Sequence, residues 1–174
     1  MNRRFHCLAW AAAGLLTGCA PALDWREVRP EAGGITLLFP CKPEHQARRL
    51  PLAGAEARLV LHACNADGAT FALAFADVGD PVRVGPALAE LEAATRRNLS
   101  ADAAEHMPLK LEGATPNAMT RRSSFSGSMP DGRAAVGQTA VFSKGTRVYQ
   151  ATMLGERANA EAADTFFANL RLGP

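Results

Sequence analysis

The run TFALAFADV, residues 70–78, limits the possible folds more than any other stretch of this chain. Phe71, Leu73 and Phe75 alternate with Ala72, Ala74 and Ala76, and a period of two is that of a β-strand whose side chains point to opposite faces. Bulky apolar groups line one face and methyl groups the other, so both faces require cover. A face of alanines lets a helix approach closely, which suits a sheet with helices packed on at least one side.

The rest of the chain supplies such a sheet. In GGITLLFPCKP, residues 35–39 are β-rich, and Pro40 holds Phe39 extended and ends the strand. A strand at 57–64 is joined to the alternating run by NADGA, whose Asp67-Gly68 pair is a hairpin signal. A helix follows from about Pro86, with Leu88, Leu91, Ala94, Thr95 and Leu99 at three-to-four spacing, Glu90, Glu92, Arg96 and Arg97 mainly elsewhere, and an end near Ser100. An irregular stretch containing Pro108 and Pro116 leads to strands at 119–128, 133–142 and 146–154. Turns at Pro130-Asp131-Gly132 and Lys144-Gly145 join these three into an antiparallel meander. Asn159 caps a last helix whose apolar stripe is Ala162, Ala163, Phe166, Phe167 and Leu170. The order β-β-β-α-β-β-β-α, about six strands with no parallel crossover, predicts an α+β fold: an antiparallel β-sheet covered by helices.

The first residues address location. Arg3 and Arg4 precede an apolar run over 5–16, too short to cross a bilayer core of ~30 Å as a helix of ~20 residues, which is the pattern of a signal peptide. Leu16, Thr17, Gly18 and Cys19 resemble the lipobox of bacterial lipoproteins. That resemblance implies removal of residues 1–18, including His6 and Cys7, and a covalent lipid on Cys19 as the first mature residue. The other reading is an ordinary secretory signal cut after GCA. Ala20 stands where an aspartate would favour the inner membrane, so the resemblance implies the outer membrane, facing the periplasm. The domain plan is a signal at 1–18, a lipidated N-terminus and tether at 19–33, and a single domain at 34–174.

Of the 19 Lys and Arg residues, Arg3 and Arg4 belong to the signal; the other 17 match the 17 Asp and Glu. The basic balance of the whole chain is thus a property of its signal. Arg48-Arg49, Arg96-Arg97 and Arg121-Arg122 read as solvated faces, and no basic stripe with interleaved aromatics points to nucleic acid. ITLLFPCKPE, YQATMLG and FFANLRL together resemble the PsbP/Mog1-like group of small domains. The resemblance implies a sandwich that serves as a binding or assembly accessory with an unknown envelope protein or small ligand as partner, and no enzymatic activity.

Few residues carry candidate chemistry. With Cys19 acylated, Cys41 and Cys64 form an even pair, expected as a disulfide in an oxidising compartment. If the strands at 35–39 and 57–64 pair, the bond has to be made across the 40–43 bend. The alternative is a zinc or copper site built from Cys41, His45, His62 and Cys64; His45 otherwise reads as a solvated loop residue. No C-x-x-C motif supports redox catalysis. The serines at 123, 124, 126 and 128 lack a G-x-S-x-G elbow and read as a strand running into a turn. A hydrolase would require His106, otherwise an exposed loop residue, to lie within reach of a serine in a cleft. Asp77 and Asp80 suit a strand end and the turn before a helix. Trp25 is the one aromatic of the tether, with either the domain or the lipid headgroups as its contact. No catalytic residue and no cofactor beyond the lipid on Cys19 is expected.

Overall fold

The computed structural model describes residues 22–101 and 104–173; Cys19 and the signal segment lie outside them. In chain order the elements are β1 (Arg26–Val28), β2 (Ile35–Phe39), β3 (Glu44–Leu52), β4 (Ala55–Ala66), β5 (Ala69–Asp77), α1 (Pro81–Asn98), β6 (Ala104–Pro108), β7 (Arg121–Ser128), β8 (Ala134–Lys144), β9 (Arg147–Gly155), α2 (Ala160–Ala168) and β10 (Arg171–Leu172). Seven strands make one antiparallel sheet in the order β3-β4-β5-β9-β8-β7-β6, and β1-β2-β10 make a small second sheet. The protein is thus mixed α and β, with all the predicted strands present and four more besides.

The alternation in β5 sets the layers. Phe71, Leu73 and Phe75 are buried with Phe39 of β2 and Phe166 of α2, while Ala76 on the opposite face is buried with Val84, Ala87 and Leu88 of α1. One face of the large sheet therefore carries α1, and the other carries α2 beside the small sheet. Phe166 meets Phe71 and Phe39 edge-on, with ring centroids 5.4 and 5.6 Å apart. Gln150, buried beneath α1, donates to the Leu91 carbonyl at 3.1 Å and to Thr95 Oγ1 at 2.9 Å, so the helix is tied to β9 by hydrogen bonds as well as by apolar contact.

Five local expectations need correction. α1 starts at Pro81, not Pro86: Asp80 caps it by accepting from Val82 N at 2.9 Å, and Pro81 occupies the first turn, where no backbone donor is needed. His45 lies on β3, not in a loop, and β3 pairs with β4 through the tight Ala53-Gly54 turn. His106 lies on β6, which pairs with β7 where an irregular stretch was expected. The strand at 35–39 does not pair with the one at 57–64; β2 belongs to the small sheet. Part of the tether segment is built into the fold, since β1 pairs with β2, and Trp25 meets Phe71 edge-on with centroids 6.0 Å apart. Cys41 and Cys64 form a disulfide with Cα atoms 6.0 Å apart, joining the end of β2 to β4 across the 40–43 bend. It links the two sheets covalently. Among the described residues no helix is long and apolar enough to cross a membrane.

Candidate functional site

Polar side chains of unusual placement gather at the β6-β7-β8 end of the large sheet, on both faces. The register pairs Ser124 with Gln138, and Gln138 with Met153, while Ser126 pairs with Val136. By alternation all of these point to the α2 side. α2 is nine residues long and does not extend over this part of the sheet. A groove of about 940 Å³ remains, floored by these side chains and bordered by Arg157, Asn159 and Ala163. A volume of this size falls in the range of ligand sites.

The groove is held open by identifiable contacts. Arg122 donates to Gln138 Oε1 at 2.6 Å and to Asp164 Oδ1 at 3.1 Å, and its guanidinium lies 4.4 Å from the centre of the Phe167 ring. Cation, amide and ring together fix the distance between α2 and β7. Between Val136 and Gln138, Gly137 faces the α1 side, where a Cβ would stand 2.8 Å from both the Met153 carbonyl and the Phe125 ring, so glycine lets Phe125 pack close against β8. Serine hydroxyls and an amide both donate and accept hydrogen bonds, while Val136, Met153 and Ala163 offer apolar contact. Among the described residues lining the groove there is no histidine or cysteine. Glu105, paired with Ser124, and Arg157 add one charge of each sign to the lining, so the arrangement is suited to holding a polar group.

On the opposite face, Glu92 of α1 is buried. Its carboxylate accepts from the Arg121 guanidinium, with Nε at 3.1 Å, and from the Ser123 hydroxyl; His106 Nδ1 is 2.9 Å from Ser123 Oγ and 3.6 Å from the carboxylate. Burial pushes the Glu92 pKa up, but the hydrogen bonds from Arg121 and Ser123 and the nearby positive charge outweigh it and hold the carboxyl below its ordinary range. His106 is therefore within reach of a serine, as a hydrolase would need. Ser123, however, has no exposed surface, and its proton goes to Glu92, so its oxygen is not presented to a substrate. These four side chains form a clamp between α1, β6 and β7. The Arg121-Arg122 pair is thus not a solvated face: one arginine serves the clamp and the other the groove wall.

The structure also brings Cys41, His45, His62 and Cys64 into one region. Both sulfurs are spent on their mutual bond, which deprives a four-ligand metal site of its thiolates. His45 and His62 are cross-strand partners whose rings stack with centroids 5.5 Å apart and planes 21° from parallel, and His62 stacks in turn on Phe75 at 6.2 Å. Stacked rings do not direct their nitrogens to a common point. Burial, and then the neighbouring His45, lower the His62 pKa. Among the described residues, no group of three or more metal-ligating side chains is gathered.

Sequence reasoning missed the clamp and the groove wall. Glu92 and Arg121 each look like surface charges by residue type, although Glu92, four residues after Leu88, stands on the apolar stripe of α1; the pairing of β6 with β7 and the packing of α1 bring them together. The serine alternation over 124, 126 and 128 was the one available signal for the groove. Compared with known protein families and with curated proteins, the chain matches none.

Proposed function

We propose that this chain is a lipid-anchored protein of the bacterial cell envelope, with a PsbP/Mog1-like domain that acts as a non-enzymatic binding module. The lipid sits on Cys19, the location is the outer membrane facing the periplasm, and the groove between α2 and β7 is the binding face. The groove is the observation that carries the binding role: a preformed hollow of about 940 Å³ with a hydrogen-bonding floor and an apolar wall. The lipobox of residues 16–19 supports the anchor, and the Cys41–Cys64 disulfide agrees with an oxidising compartment. The partner is a small polar ligand or a peptide segment of an envelope protein.

Nuclear magnetic resonance with a library of small polar fragments and short peptides tests the site. Binding is expected to shift the amide signals of Ser124, Ser126 and Gln138, and Ser126→Trp, which fills the groove from an exposed position, is expected to abolish those shifts while leaving the core signals in place. Shifts confined to another surface, or unaffected by Ser126→Trp, would overturn the assignment. A metal-handling role finds no comparable support, since the oxidised cysteines remove its ligands.

A further inference from the structure

We infer that the lipid on Cys19 seats the domain end-on against the membrane, with the end carrying the Cys41–Cys64 bond and the Arg157–Asn159 border of the groove toward the headgroups. The inference rests on the anchor proposed above and adds orientation and a contact surface to it. The chain becomes part of the fold almost at once after Cys19. Leu23 packs against the main core, the Asp24 amide donates to the Pro40 carbonyl at 2.8 Å, and Trp25 rests on Phe71. Three residues lie between Cys19 and Leu23, and the four Cα–Cα steps that join them span at most about 14 Å when fully extended. The interfacial layer on each side of a bilayer is itself about 5 to 7 Å thick. The domain therefore cannot move away from the surface or turn freely above it.

The topology identifies which end is held. Pro40 precedes the disulfide to Cys64, near the end of β4; the Asp67-Gly68 turn follows, and Asp67 accepts from Asn159 Nδ2 at 3.1 Å, at the start of α2. Ala69 pairs with Gly155, and Gly155 with Val136, so the groove residues around Arg157 and Asn159 share this end. The Asp77–Asp80 segment and the start of α1 lie at the other end of the nine-residue β5, about 27 Å away at the usual rise per residue. Charge at the held end is close to balanced: Lys42 and Arg157 are exposed, Glu44 and Asp67 offset them, and Arg133 is paired with Asp131 at 2.8 Å and Glu156 at 2.5 Å. The covalent link, not electrostatic adsorption, sets the orientation, so it persists in high salt.

Energy transfer on the acylated full-length protein provides the test. A donor dye is placed on Ala158→Cys at the held end or on Val82→Cys at the far end, in vesicles of phosphatidylethanolamine and phosphatidylglycerol carrying a headgroup-linked acceptor. Transfer is expected to be several-fold more efficient from position 158 than from position 82. A flexible insert of about 20 Gly and Ser residues after Ala20, with a mean span of about 25 Å, is expected to remove most of that difference. Equal transfer from the two positions in chains that float with the vesicles would overturn the seating alone. Chains that lack the acyl mass and do not float would overturn the seating together with the anchor, so the two failures are distinguishable.

Discussion

Glu92 shows how much a single residue can contribute when its neighbours are chosen for it. Its carboxylate lies under α1, charged and satisfied by Arg121 and Ser123. Removing one partner of such a pair leaves the other buried and uncompensated, so Glu92→Ala is expected to cost about 3 kcal/mol in denaturant unfolding. Its depressed pKa gives the sign of the acid response. The unfolded chain binds the proton more tightly, so the stabilisation is complete above the ordinary carboxylate value of 4.5 and is lost as pH falls below it. His62 acts earlier in the same direction. Folding lowers its pKa, so stability is full above 6.5 and declines as pH falls below that value and the ring is charged beside His45. Thermal melts from pH 8 to pH 3 are expected to show both losses, with His62→Phe flattening the first and Glu92→Gln the second. Little of this was read from the sequence: Glu92 stands four residues after Leu88, on the buried stripe of α1, but its charge reads as solvent-facing and its partners arrive from β6 and β7.

At the scale of elements, what the sequence revealed depended on burial. β5, the meander β7-β8-β9 and α2 bury one or both faces, so their periodicity was visible, as was the Asn159 cap, which accepts from Ala162 N at 3.0 Å. β3 and β6 are the edge strands of the large sheet, largely exposed, and their polar residues and prolines carry no period that marks a strand. Pairing with one neighbour, not pattern, makes them strands. The disulfide has a definite task at this scale, since it joins the small sheet to the large one and closes a loop of 23 residues. The double variant Cys41→Ser, Cys64→Ser is expected to lose about 3 kcal/mol of stability and to show faster hydrogen exchange in β1 and β2 than in β8 and β9. Equal acceleration in all strands would show that the bond does not act locally. Gly127 marks a second close approach: a Cβ there would stand 2.1 Å from the Leu99 carbonyl, which accepts from Ser128 N at 2.7 Å. Gly127→Ala is accordingly expected to destabilise by about 1 to 3 kcal/mol in the same unfolding assay, by forcing the end of α1 off β7.

For the molecule as a whole, the layered α+β architecture could be read from one strand's alternation and two amphipathic helices, whereas the groove could not. It lies between α2 and β7, which Arg122 holds apart through Gln138, Asp164 and Phe167, and such a spacing between elements is a property of the assembled fold. The proposed role combines that groove with an acylated N-terminus and an oxidised cysteine pair in one mature protein. Intact mass spectrometry of the protein extracted from native membranes, with and without reductant, tests this combination most directly. The account predicts a chain that begins at an acylated Cys19 and gains about two hydrogens on reduction of a disulfide. An unacylated chain that retains residues 1–18, with Cys41 and Cys64 as free thiols, would contradict it.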